Sequence, residues 1–204
     1  MSIVPRRLAA STRGGLAPLA RGLVRLGVSA NAVTVLGSVV TLAGAAWLAT
    51  GSPTGGLVVL LAGTLCDTLD GQIARAAGGG TRFGAFLDST LDRLSDAALA
   101  IAAVWLGVAT GDGALLWFGL VLLVASFLVS YIRAKAESLG AGASVGLAPR
   151  EGRTAIYLLG VAAWAVTGSL SLFVAAVAVA AFLATVTVFQ RLAHMATVLD
   201  EKKG

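Results

Sequence analysis

The sequence predicts an all-α integral membrane protein, with six transmembrane helices preceded by an N-terminal amphipathic helix at the interface. Three observations predict it. Hydrophobic residues make up 57% of the 204-residue chain and charged residues only 12%, which is too apolar for an ordinary soluble domain. Apolar runs of about 20 residues, the length that crosses a bilayer, recur along it. Lysine and arginine collect in alternate connections, as cytoplasmic loops require. A soluble helical bundle would need polar outer faces, and the segment 115–129 has none.

Taken in order, residues 9–27 carry Leu16, Leu19, Leu23 and Leu26 at helical spacings with arginines between them, the pattern of an interfacial helix. Ser29 and Asn31 offer a capping signal, and a first span follows over 32–50. Gly51, Pro53 and Gly56 mark a turn. The second span covers 57–76 and is broken by Gly78, Gly79 and Gly80. The third covers 83–108, Gly111-Asp112-Gly113 turns the chain, and the fourth covers 114–139. A Gly/Ala/Ser-rich loop leads to a fifth span over 154–166, and Gly168-Ser169 leads to a sixth over 172–189. The expected organisation is a single membrane domain over 1–204.

The basic residues test this count. Arg6, Arg7, Arg13, Arg21 and Arg25 precede the first span, and Arg75 and Arg82 flank the second connection. Arg133, Lys135, Arg150 and Arg153 surround the fourth connection, and Arg191, Lys202 and Lys203 follow the last span. The three opposite turns contain no lysine or arginine, which puts both termini in the cytoplasm. Trp47, Trp105, Trp117 and Trp164 each fall near one of those three turns, as interfacial aromatics do. The scattered early arginines leave no apolar core for a cleavable signal peptide. A single cysteine, Cys66, allows no intramolecular disulfide. With this composition the net charge of +5 points to anionic lipid and anionic substrates, with no nucleic acid as partner.

Five of the ten acidic residues fall between Asp67 and Asp96, inside apolar segments. Asp67 and Asp70 are three apart on one helix, and Asp88 and Asp92 are four apart on the next, so each pair shares a face. The short glycine-rich link makes these helices antiparallel neighbours, so four carboxylates converge at the cytoplasmic end. Such like charges force protonation unless cations neutralise them, and Mg²⁺ or Mn²⁺ with oxygen ligands is the natural solution. Gly71 and Gly84 remove side chains beside Asp70 and Asp88, for a bulky ligand or for close helix packing. Arg75 brings a cation suited to a carboxylate or a phosphate. Metals held by carboxylates between phosphate oxygens serve phosphoryl-type transfer. An ion or proton-coupled transporter is the alternative that charge within spans allows.

The spacing Asp67-x2-Asp70-Gly71-x2-Ala74-Arg75-x8-Gly84-x3-Asp88-x3-Asp92 resembles the signature of the CDP-alcohol phosphotransferases at every fixed position. The resemblance implies a six-helix homodimer that displaces CMP from a CDP-linked donor with an acceptor hydroxyl. It implies that Asp67, Asp70 and Asp88 ligate metal with Asp92 also near. Asp92 is then the catalytic base, and oxygen attacks the β-phosphorus. Gly71, Ala74 and Arg75 would line the nucleotide site, with Thr81 assisting. Asp96 either hydrogen-bonds within the site or pairs with Arg93.

Along most of its length the chain resembles the actinobacterial phosphatidylinositol phosphate synthases. Residues 79–84, 130–137 and 190–192 carry that likeness. It implies CDP-diacylglycerol as donor and inositol 1-phosphate as acceptor, in the cell membrane. Glycerol 3-phosphate, the acceptor of a phosphatidylglycerophosphate synthase, is the runner-up. Independently, the basic residues at the cytoplasmic ends of the last three spans suit a phosphomonoester better than a neutral alcohol. By resemblance, Ser130, Arg133, Arg153 and Arg191 hold the acceptor phosphate. Two departures stand out. Arg133 precedes Lys135 where the subgroup has lysine then arginine, and residues 148–153 keep only the final arginine of the usual pattern.

Overall fold

The computed structural model describes residues 17–142 and 145–201, and every regular element among them is helical. In order these are α1 (17–25), α2 (Ala30–Ala49), α3 (Pro53–Ala76), α4 (Arg82–Thr110), α5 (Gly113–Ser138), α6 (Arg150–Thr167) and α7 (Leu170–Glu201). The predicted residues Arg6, Arg7, Arg13, Leu16, Lys202 and Lys203 lie outside the described residues, as does most of the first half of the 9–27 helix. Among the described residues, five helices (α2, α3, α4, α5 and α7) are long and apolar enough to cross a membrane. The remaining one of the six expected spans, α6, is 18 residues long and begins with Arg150, Glu151 and Arg153. Its charged first turn leaves too short an apolar stretch to stand with the other five.

The described residues divide into two compact units, one up to residue 99 and one from residue 100 on, the division falling within α4. In the first unit, α1 closes with Gly27 at φ +77°. The Val28 N–H reaches back to the Leu23 carbonyl at 3.0 Å, which is a Schellman ending that only glycine takes without strain. Ser29 then caps α2, its Oγ accepting the Ala32 N–H at 3.2 Å. The helices α2 and α3 pack through small residues. A Cβ on Gly44 would lie 2.9 Å from the Leu60 backbone nitrogen, and one on Gly56 would lie 2.8 Å from the Leu48 Cβ. Gly37 meets Cys66 in the same way, and Gly63 meets Thr41. The glycines recur seven apart on each helix, so two backbones come together over two turns, and dispersion replaces side-chain burial. Ala20 of α1 is buried against Val33, Leu69 and Ile73, which seats α1 on this pair.

In the second unit the end of α4 packs on α5 by the same device. A Cβ on Gly119 would sit 3.0 Å from the Val104 nitrogen, and one on Gly107 would run into the Leu116 backbone. Asp112 is the N-cap of α5, accepting the Leu115 N–H at 2.9 Å, which explains an acidic residue on the side of the chain without lysine or arginine. Helix α7 packs on both α5 and α6. The fully buried Phe173 stands edge-on to Tyr157 and stacks on Trp164. The other three tryptophans, Trp47, Trp105 and Trp117, are all more than half exposed, as interfacial anchors would be.

Candidate active site

The expected acidic site forms within the first unit. The turn between α3 and α4 uses Gly78 and Gly79 at φ +95° and +125°. Thr81 then caps α4, its Oγ1 accepting the Gly84 N–H at 2.9 Å. This tight reversal sets the last turns of α3 against the first turns of α4. One carboxylate oxygen each from Asp67, Asp70 and Asp88 then lie within 4.8 Å of one another. Asp67 is exposed, Asp88 is half-buried and Asp70 is buried. Asp92 is half-buried and stands outside that trio. Its Oδ2 lies 3.6 Å from Arg93 Nη1, which also donates to the Ser89 carbonyl at 2.7 Å.

Asp70 Oδ2 is buried and has no hydrogen-bond partner among the described residues. A buried carboxylate oxygen left that way costs more than the roughly 1–3 kcal/mol of a neutral polar group. The cost falls when a cation shares the oxygen with the neighbouring carboxylates. The donor set is all oxygen and carries three formal negative charges. It fits a divalent metal of the hard, oxygen-preferring class.

A cavity of about 410 Å³ opens beside this trio, lined by Asp70, Asp88, Gly71, Ala74 and Thr81 together with residues of the α1–α2 junction. Of the residues expected at the nucleotide, only Arg75 is not part of its lining. Its guanidinium nitrogens fold back to 3.8 Å from where a Gly71 Cβ would sit. The two signature glycines therefore do different work. Gly71 meets nothing but that flexible side chain and leaves its backbone open to the cavity. Gly84 is in close contact, since a Cβ there would lie 2.8 Å from Asn31 Oδ1 and 3.0 Å from Thr81 Oγ1. The partner that needs this space is α2, not α3.

Asn31 and Thr34 of α2 and its N-cap Ser29 complete the polar lining. The sequence reading used Ser29 and Asn31 only as a cap and passed over Thr34. The available signal was Asn31 and Thr34 three apart, on one face of an otherwise apolar helix.

Comparison with known proteins decides the family. A family model described as CDP-alcohol phosphatidyltransferase matches residues 27–199. The chain belongs to the CDP-alcohol phosphatidyltransferase family. It is 42% identical over 145 residues to the phosphatidylinositol phosphate synthase of Mycobacterium tuberculosis (strain H37Rv), covering 70% of this chain and 67% of that one. It is 43% identical over 136 residues to the archaetidylinositol phosphate synthase of Methanothermobacter thermautotrophicus, covering 67% of each. The crystal structure of the M. tuberculosis synthase with CDP-DAG bound superposes with a TM-score of 0.81 at 36% identity, over 86% of this chain and 90% of that one. The structure of the same synthase in complex with manganese and citrate gives 0.80 at 36% identity, over 86% of each. The protein is thus a phosphatidyltransferase, an enzyme of phospholipid synthesis.

In this phosphatidyltransferase the four residues expected at an acceptor phosphate all lie in the second unit, in unlike surroundings. Arg153 and Arg191 are buried, at 5% and 8% exposure. Arg153 Nη1 donates to the Ala148 carbonyl at 2.8 Å. Arg191 donates through Nε to the Val145 carbonyl at 3.0 Å and through Nη1 to the Val129 carbonyl at 2.6 Å. Both guanidiniums therefore hold the same short stretch before α6, and Arg191 also reaches the α5 backbone one residue before Ser130. Ser130 is half-buried. Arg133 is exposed and pairs with Glu137 one turn on, at 2.9 Å. The structure brings Arg153 and Arg191 to one loop and leaves Arg133 on the surface of α5.

Proposed function

We propose that this phosphatidyltransferase transfers the phosphatidyl group of CDP-diacylglycerol to inositol 1-phosphate, giving phosphatidylinositol phosphate and CMP. The observation that carries the reading is the buried, unpartnered oxygen of Asp70 among three convergent carboxylates at the edge of a cavity. Asp67, Asp70 and Asp88 hold the divalent cation, with Asp92 adjoining. Mg²⁺ is the proposed ion and Mn²⁺ its substitute. When bound, the cation neutralises the diphosphate and makes the β-phosphorus more electrophilic. Gly71, Ala74, Arg75 and Thr81 bind the nucleotide, the open backbone at Gly71 allowing its close approach. Asp92 accepts the proton of the acceptor hydroxyl as that oxygen bonds to the β-phosphorus. The bond from the β-phosphorus to the oxygen bridging the two phosphates breaks, and CMP departs with that oxygen. Arg93, hydrogen-bonded to the Ser89 carbonyl, keeps a positive charge beside Asp92.

Ser130, Arg133, Arg153 and Arg191 are the proposed ligands of the acceptor's phosphate, with the two buried arginines foremost. Inositol phosphate as acceptor is supported by the names of the two relatives. They differ in the lipid, phosphatidyl against archaetidyl, and share the inositol phosphate. In this reading 1–204 is a single membrane domain, because the family match runs through both units. Helix α6 is the sixth span, since five others and an even count put both termini and the active site in the cytoplasm, where the basic connections belong. Helix α1, the described part of the expected 9–27 segment, lies at the interface of the cell membrane, supported by exposed Leu19, Arg21 and Arg25 with buried Ala20. The enzyme acts as a homodimer.

The test is CMP release from CDP-diacylglycerol by the purified protein in liposomes, with inositol 1-phosphate, glycerol 3-phosphate, inositol and serine compared side by side. Inositol 1-phosphate should give the highest kcat/KM. A preference for glycerol 3-phosphate would make the enzyme a phosphatidylglycerophosphate synthase. Ion flux without CMP release would place it among transporters.

A further inference from the structure

Helix α7 presents Thr187, Gln190 and Arg191 on one face, at the i, i+3, i+4 spacing. Arg191 has a proposed role above, and the other two have none. Both meet the short segment that precedes α6. The Leu147 N–H donates to Gln190 Oε1 at 2.9 Å, and the next N–H, of Ala148, donates to Thr187 Oγ1 at 3.4 Å. The Thr187 hydroxyl itself donates to the Leu183 carbonyl at 2.8 Å, so its hydrogen is committed and its lone pair faces the loop. Gly146 stands at φ +143°, and a Cβ there would lie 2.5 Å from the Thr187 methyl. The backbone at 146 thus rests directly on that methyl group.

The same segment supplies the carbonyls that orient the two buried arginines, Val145 for Arg191 and Ala148 for Arg153. Consecutive N–H groups of one strip of backbone are held by two neutral side chains, and its carbonyls hold two cations. The geometry points to Gln190 and Thr187 as positioning residues for the acceptor site. They fix the loop, and the loop fixes the guanidiniums of Arg153 and Arg191. In this assignment both act through the two arginines and not on the substrate itself. The inference rests on the reading of Arg153 and Arg191 as ligands of a phosphomonoester. It adds that their placement depends on side chains that carry no charge.

The test uses the full-length enzyme in liposomes with CDP-diacylglycerol and inositol 1-phosphate. Gln190→Met keeps length and volume and removes the strong acceptor. It should raise the acceptor KM about tenfold, the size expected for one lost hydrogen bond, with donor KM and kcat within about twofold. Thr187→Val should do the same to a smaller degree, whereas Thr187→Ser, which keeps Oγ, should stay near the parent enzyme. Amide exchange at Leu147 and Ala148 should quicken in Gln190→Met. An unchanged acceptor KM in both Gln190→Met and Thr187→Val, or an equal rise for the donor, overturns the assignment. Should Gln190→Met fail to fold, the Thr187→Val and Thr187→Ser pair decides. Parent enzyme that released no CMP with inositol 1-phosphate would sink the acceptor reading by itself. The loop clamp would then stand or fall on the amide exchange alone.

Discussion

The acidic and the basic regions of this enzyme are both charged clusters in an apolar chain, yet they are built on opposite plans. In the first, α3 and α4 bring three carboxylates within 4.8 Å, and one buried oxygen is left without a hydrogen-bond partner among the described residues. In the second, two buried arginines donate to backbone carbonyls at 2.6–3.0 Å. The carboxylate cluster is incomplete without a cation. The arginines are already part of the fold, and a ligand there would add to contacts they make in any case. Substitution in the acidic region should therefore destroy chemistry with little effect on folding, and substitution in the basic region should affect both.

The largest effect is expected at Asp70. Asp70→Asn keeps the shape and removes the charge that a cation needs. Turnover should fall roughly a thousandfold or more, in line with the several kcal/mol a catalytic metal supplies. Mn²⁺ binding, followed by electron paramagnetic resonance, should be lost with it. Thermal stability should hold or rise, because the substitution puts a neutral amide where the parent has a buried carboxylate with one oxygen lacking a hydrogen-bond partner among the described residues. Retained Mn²⁺ binding would show that the trio is not the metal site, and the contrast between the regions would lose its basis.

Asp92→Asn comes next and separates binding from chemistry. Removing a general base typically costs about 10²–10⁴ in rate. CDP-diacylglycerol binding should stay largely intact, because Asp92 lies outside the trio of close carboxylates. Turnover near the parent rate would remove Asp92 as base. A parallel loss of donor affinity would make it chiefly a metal ligand.

These expectations mark how far the sequence could be read. The convergence of Asp67, Asp70 and Asp88 was legible because helix periodicity puts residues three apart on a shared face and Gly78 to Gly80 suit a tight reversal; the expected fourth carboxylate, Asp92, stands outside the trio. The family signature is a record of the same geometry. Asn31 and Thr34 were less legible, because their place in the cavity depends on α2 lying against Gly84, a contact between positions far apart in sequence. The clamp on the loop was not legible at all. Its bonds join residues 39 and 43 apart, and the partners of Thr187 and Gln190 are backbone N–H groups, which leave no mark on residue identity. The span count shows a third kind of limit. Charge patterning suggested six spans, but α6 begins with a charged turn, and its length and composition alone do not separate a span from a helix lying among others.

Arg153→Gln tests the basic region at its buried end. Loss of charge-assisted hydrogen bonds, each worth about 1.5–3 kcal/mol, should raise the acceptor KM by roughly ten- to a hundredfold, with a far smaller rise for the donor. Because Arg153 also holds the Ala148 carbonyl, the melting temperature in detergent should drop as well. That second effect has no counterpart at Asp70. A kinetic change with no loss of stability would mean that the arginine serves the ligand alone. An equal rise in both KM values would move the acceptor site elsewhere.

Arg133→Gln should have the smallest effect, and it decides whether burial is the right way to rank the basic residues. Its guanidinium is about half exposed and pairs with Glu137 one turn away, an arrangement usually worth only about 0.3–0.5 kcal/mol in a helix. Losing it should leave stability unchanged. If the acceptor is held chiefly by Arg153 and Arg191, the acceptor KM should rise no more than about threefold, since an exposed charge acts through screened solvent. Raising the salt concentration should shrink that rise further, while leaving the Arg153→Gln effect nearly intact. An Arg133→Gln enzyme as impaired as Arg153→Gln, and insensitive to salt, would mean that Arg133 leaves Glu137 to bind the phosphate when acceptor arrives. The basic region would then resemble the acidic one after all, with a ligand completing it and not merely adding to it.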